Sequence, residues 1–159
     1  MSTGESPKHA GIPYPPPLLY VAGIVAGFLV HRVVPLPITD HPSAVRTALA
    51  IAFGLGWLAL FAPAWAGFLR KRTTLIPNRP AAALVTSGIY RFTRNPMYVS
   101  LVLLYVGVTL ALDTWWPLVL LPLVIVAVDR LVIRREERYL AAAFPSEYPA
   151  YCRRVRRWV

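Results

Sequence analysis

Four long apolar runs, separated by short polar or proline-bearing breaks, set the pattern of this chain. The first covers residues 18–34 and comes close to the ~20 helical residues that cross a bilayer core. Within it Gly23 and Gly27 are four apart, a spacing that lets another helix approach closely but that also arises by chance. Pro35, Pro37 and Pro42 then enforce a break. The second run, 44–69, exceeds what a span needs and carries Gly54, Gly56 and Pro63, so a tilt or a kink near Pro63 is expected. It stops at Arg70-Lys71-Arg72. The third run, 97–112, is short. Asp113-Thr114-Trp115-Trp116-Pro117 follows as a tight turn with two interface-favouring tryptophans. The fourth run, 118–133, starts at once, and the last two runs read as a helical hairpin with its tip at the far membrane face.

At the amino end, residues 1–17 are polar and then proline-rich, which predicts an extended entry segment and no signal peptide. Beyond Arg134, charges alternate with aromatics, as in short amphipathic helices broken near Pro145 and Pro149. The predicted fold is therefore all-α: an integral membrane bundle of about four transmembrane helices with an amphipathic carboxyl-terminal segment. It divides into a tail (1–17), two amino-terminal spans (18–69) and a polar-bearing core (70–159).

Composition supports a membrane chain. Of 159 residues, 57% are hydrophobic and only 15% are charged, too few to cover a soluble domain of this length. The net charge of +10 would suggest nucleic acid in a soluble protein, but four apolar runs exclude that class here. Fifteen of the 17 Lys and Arg fall on the side shared by the amino end, the 70–96 connection and the carboxyl tail, leaving Arg32 and Arg46 opposite. The positive-inside rule then places all three in the cytoplasm and the protein in the cell inner membrane. The single cysteine, Cys152, permits no intrachain disulfide. Three histidines without ligand spacing (His9, His31, His41) predict no metal site.

Candidate chemistry sits in two polar clusters on that face. The first is Thr86 to Tyr98. Gly88 allows backbone closed to other residues, and Pro96 suits the first position of a helix. Asn95 then falls at the cap, with its side chain and the next free amides available. Arg91, Arg94, Tyr90, Phe92 and Tyr98 supply charge and flat surface for an anionic or cationic ligand. A capped helix start touching lipid phosphate has the same composition. The second cluster holds the paired acids Glu136-Glu137, followed by Phe144, Glu147, Tyr148 and Tyr151. A carboxylate there suits an ammonium or sulfonium; a solvated helix face with Arg134, Glu137 and Arg138 is the alternative. Asp129 and Arg130 lie near the membrane boundary, where an ionisable residue is costly, although Arg130 is able to snorkel.

Leu84-Val85-Thr86-Ser87-Gly88-Ile89-Tyr90 with Arg94-Asn95-Pro96-Met97-Tyr98, and then Glu136-Glu137, Leu140, Phe144, Glu147-Tyr148, Tyr151 and Val155-Arg156-Arg157-Trp158, resemble the isoprenylcysteine carboxyl methyltransferase and phospholipid methyltransferase superfamily. The resemblance covers about residues 70–159. It implies a membrane enzyme that uses S-adenosylmethionine and methylates a lipid or isoprenoid-type acceptor. Implied cofactor contacts fall on Leu84, Val85, Gly88, Tyr90, Asn95, Pro96, Met97, Tyr98 and Glu136. Arg94, Glu137 and Tyr98 are the implied catalytic side chains, the last two being candidates to take a proton. Asn95 stands where the isoprenylcysteine enzymes have histidine, and Pro145 replaces a glycine. Their substrate-carboxylate arginine would fall near Val132, which leaves Arg130 as the candidate substrate contact.

Two further readings compete. A membrane reductase of the sterol or steroid type would hold NADPH with these arginines, but paired acids repel phosphates. A non-enzymatic scaffold or transport subunit would bind no such ligand.

Overall fold

The computed structural model describes residues 14–71 and 83–158. Most of the proline-rich tail and the middle of the 70–96 connection lie outside the described residues. The described residues form six α-helices: α1 (Pro17–Val33), α2 (Ala44–Arg70), α3 (Pro96–Ala111), α4 (Trp116–Val128), α5 (Arg134–Ala143) and α6 (Glu147–Arg154). A 3₁₀ turn, Gly88–Arg91, precedes α3, and a π-turn, Asp129–Ile133, joins α4 to α5 without interruption. Among the described residues there is no strand.

Local chemistry explains the boundaries. Pro17, Pro96 and Pro117 sit at helix starts, where a missing N–H leaves nothing unsatisfied. The Ser43 side chain accepts from the Arg46 amide and so caps α2. With 27 residues α2 is about 40 Å long, and it stays a single helix through Pro63. The 28-residue continuous helix Trp116–Ala143 is equally long enough to cross a bilayer, while Pro17–Val33 and Pro96–Ala111 are shorter apolar helices. Only 6% of the most apolar window of α2 is buried, so α2 is no soluble-protein core helix. Leu49, Ile51, Leu55, Leu58 and Leu69 instead face outward, as lipid contact requires. The fold is an all-α membrane helical bundle.

Pairing of the helices departs from the expected hairpin. Helix α2 packs mainly along α3 and α1 along α4, whereas α3 and α4 touch sparsely beyond their turn. Glycines allow these approaches. A Cβ on Gly23 would stand 2.5 Å from the Val124 Cγ2, and one on Gly27 would stand 2.6 Å from the Pro117 backbone nitrogen. Gly107 meets the Ala50 carbonyl in the same way, at 3.1 Å.

The two ends of the bundle are both polar. At one end Asp113, held at φ 53°, accepts from the Ile38 and Thr39 amides and pairs with Arg46 at 3.4 Å. The Trp116 indole donates to the Val34 carbonyl there at 2.8 Å. At the other end the starts of α1 and α3 meet the π-turn. Tyr20, Tyr98, Val128, Val132 and Ile133 form a buried cluster, with Trp158 packed against it. The tail also differs from expectation: the helix breaks around Pro145, but Pro149 lies inside α6. In that first turn its missing N–H would be unpaired anyway.

Candidate active site

The segment before α3 is shaped by Gly88, whose φ of +65° is the left-handed region. A Cβ there would meet nothing within 4 Å, so conformation and not space calls for glycine. This turn drives Tyr90 inward, edge-on to Phe68 with centroids 5.6 Å apart. Val85 is buried against Tyr90 and Ala64, with Met97 packed beside them. Leu84 packs with Tyr148, Tyr151 and Val155 from the carboxyl tail. The Tyr151 hydroxyl donates to the Tyr90 carbonyl at 2.5 Å.

Asn95 stands at the N-cap of α3, but its side chain does not cap the helix. Its Nδ2 donates instead to the Arg157 carbonyl at 3.0 Å, joined there by the Thr93 hydroxyl at 3.2 Å. The Arg94 amide donates to the Arg156 carbonyl at 2.9 Å. The expected helix cap is therefore a tether for the carboxyl terminus. The Arg156 and Arg157 carbonyls accept from the segment that leads into α3.

One turn into α3, the Tyr98 hydroxyl lies 2.9 Å from each carboxylate oxygen of Glu136 and donates across the pair. Glu136 belongs to α5, beyond the apolar part of its long helix. Its carboxyl is pushed up to about 7: burial raises it most, the Tyr98 hydrogen bond lowers it, and the Glu137 charge raises it again. No guanidinium figures among those influences.

Glu137 is differently placed. Arg157 holds both of its oxygens, through Nε to Oε1 at 3.0 Å and through Nη2 to Oε2. Arg94 Nη1 lies 3.3 Å from Oε1. A carboxylate forked by one guanidinium and touched by a second has its oxygens committed to those donors. Arg157 also reaches Asp129 at 3.4 Å, which Arg134 meets at 2.9 Å.

The π-turn accounts for this sorting of the two acids. It adds one residue to a turn and so shifts the following register by about 100°. Residue 137, eight after Asp129, thereby takes the place that residue 136 would hold on an unbroken α-helix. Glu137 lines up with Asp129 for Arg157, and Glu136 turns to Tyr98.

The two predicted clusters are thus brought together, through Tyr98 and Glu136, Arg94 and Glu137, Tyr90 and Tyr151. Arg91 is not part of the assembly; it is exposed, with its guanidinium 5.2 Å from the Phe92 ring centroid. Arg130 is likewise exposed, and its charged contact is Asp129 at 3.9 Å. Asp129 and Arg157 complete the site without having been singled out as site residues. Their signal was faint: a carboxylate at a membrane boundary and an arginine near the chain end.

Two features fit a ligand with an ammonium and a carboxylate, the amino-acid end of S-adenosylmethionine. The Glu136 carboxyl is partly buried and raised by desolvation, with no guanidinium among the influences on it, and an ammonium would supply the missing counter-charge. Arg94 Nε is buried and has no hydrogen-bond partner, which a carboxylate would supply. Among the described residues, no group of three or more His, Cys, Asp or Glu is arranged to hold a metal ion.

An all-α membrane bundle thus brings an acid, a tyrosine and an arginine to one polar end. Residues 69–147 match the phospholipid methyltransferase family, part of the isoprenylcysteine and phospholipid methyltransferase superfamily. The family implies methyltransferase activity at a membrane. The chain is also 38% identical over 80 residues to the cobalt-zinc-cadmium resistance protein CzcN of Cupriavidus metallidurans. That similarity covers 50% of this chain and 37% of the relative, so the chain spans little more than a third of it. No solved structure matches. Leu84 through Glu137 lie within the family segment, and Tyr151, Cys152 and Arg157 lie beyond it.

Proposed function

We propose that this protein transfers a methyl group from S-adenosylmethionine to a lipid or isoprenoid-type acceptor at the cytoplasmic surface of the inner membrane. The observation that carries the reading is the hydrogen-bonded Tyr98–Glu136 pair, with Arg94 held by the neighbouring Glu137, within a segment that matches a methyltransferase family. In this reading Glu136 takes the cofactor's ammonium, and the free Arg94 Nε–H takes its carboxylate. Leu84, Val85, Gly88 and Tyr90 bound one side, and the backbone of Asn95, Pro96 and Met97 bounds another, since the Asn95 side chain is committed to Arg157. When bound, S-adenosylmethionine supplies an electrophilic methyl on a sulfonium.

The residues' task is then alignment and dryness. Methyl transfer removes a positive charge from sulfur, so a water-poor site favours it. Tyr98 orients Glu136, and the Glu137 network holds Arg94. An acceptor that must lose a proton finds Tyr98 and Glu136 nearest to hand; Arg130 stays a candidate for an anionic acceptor group at the rim. The excess of cations at this end of the bundle supports its cytoplasmic placement.

The test is transfer of labelled methyl from S-adenosylmethionine into a total lipid extract, with the product identified by mass spectrometry. A labelled lipid formed by wild type and lost with Glu136→Ala is expected. Folded protein that binds the cofactor product yet labels nothing would refute the reading.

A further inference from the structure

We infer that Arg157 is a positioning residue, bracing Glu137 so that Arg94 is kept in place with one donor free for the ligand. This rests on the cofactor reading above and extends it to a residue beyond the family segment. Arg157 joins two parts of the site. Its carbonyl receives Thr93 and Asn95 at the start of α3, and its guanidinium forks Glu137 on α5 and reaches Asp129 in the π-turn.

The side chain's effect on Arg94 follows from competition. Glu137 has two oxygens, and a planar guanidinium satisfies both at once. Because Arg157 does so, Arg94 makes a single approach to Oε1 at 3.3 Å and also donates to the Cys152 sulfur at 2.7 Å. Its Nε stays unpartnered. Without Arg157, Glu137 has both oxygens open, and Arg94 is the cation already in contact. Arg94 then forks Glu137 itself through Nε and Nη, which removes the donor that the ligand needs. Lysine at 157 keeps the charge but holds one point and not two.

Calorimetric titration with S-adenosylhomocysteine in detergent tests this, using wild type, R157A, R157K, E137Q and the R157A/E137Q double variant. R157A is expected to weaken binding about tenfold, in the range of coupled neighbours, with R157K in between. In the E137Q background the same R157A change is expected to cost less than about threefold, because Arg157 acts through Glu137. Equal losses in both backgrounds, or none, would overturn the inference.

Hydrogen exchange of peptides covering residues 93–98, measured without ligand, is the second readout. Faster exchange in R157A with recovery toward wild type in R157K supports the brace; unchanged exchange overturns it. If wild type fails to bind S-adenosylhomocysteine, the cofactor reading falls, and the exchange result still decides the brace. Should R157A fail to fold, R157K decides through the same comparison with and without E137Q.

Discussion

Glu136 carries the clearest residue-level consequence. Desolvation pushes its carboxyl up to about 7 from a reference of 4.5, so the folded state holds the proton more tightly than the unfolded chain. That contribution to stability is complete below about pH 4.5 and is lost as pH rises through about 7, amounting to about 3 kcal/mol. Thermal midpoints in detergent should therefore fall from about pH 5 to pH 8 more steeply for wild type than for E136Q, and E136Q should be the more stable at pH 8. Parallel curves would contradict this. Arg94, Tyr98, Glu136 and Glu137 were all readable as candidates because polar residues stand out between apolar runs. Which acid serves which partner was not readable. That depends on the π-turn register and on a carboxyl terminus that returns to Asn95 across 62 residues.

At the scale of elements, the first three apolar runs located their helices to within one residue, the predicted 44–69 run being α2, Ala44–Arg70, whereas the fourth, 118–133, covers α4 and the π-turn of a helix that continues through polar residues to Ala143. Their pairing was hidden because α3 and α4 are apolar on every side, so no stripe shows which face meets a neighbour. Gly23 and Gly27 were the exception, and their four-residue spacing does mark the contact with α4. At Gly27 the obstructing atoms are Pro117 backbone, which cannot swing aside. G27A should therefore cost about 1–3 kcal/mol. G54A, whose Cβ would meet nothing within 4 Å, should cost nothing. Chemical-denaturant unfolding in micelles compares the two, and equal effects would refute the close-approach account.

For the whole molecule, the bundle has a division of labour between its ends. Asp113, Arg46 and Thr39 clasp one end with their own side chains and the backbone of the loop before α2. The opposite end holds the Glu136–Tyr98 pair and the unpartnered Arg94 donor, and it carries most of the cations. The proposed reaction needs an arrangement of this kind, with a soluble donor and a membrane-borne acceptor meeting at one surface. The most direct test is a calorimetric titration of the purified protein at about pH 8 with S-adenosylhomocysteine and, in parallel, NADPH. Saturable binding of S-adenosylhomocysteine, weakened about tenfold or more by E136Q, with no binding of NADPH, is the predicted result. Binding of NADPH alone, or S-adenosylhomocysteine binding that E136Q leaves unchanged, would contradict it.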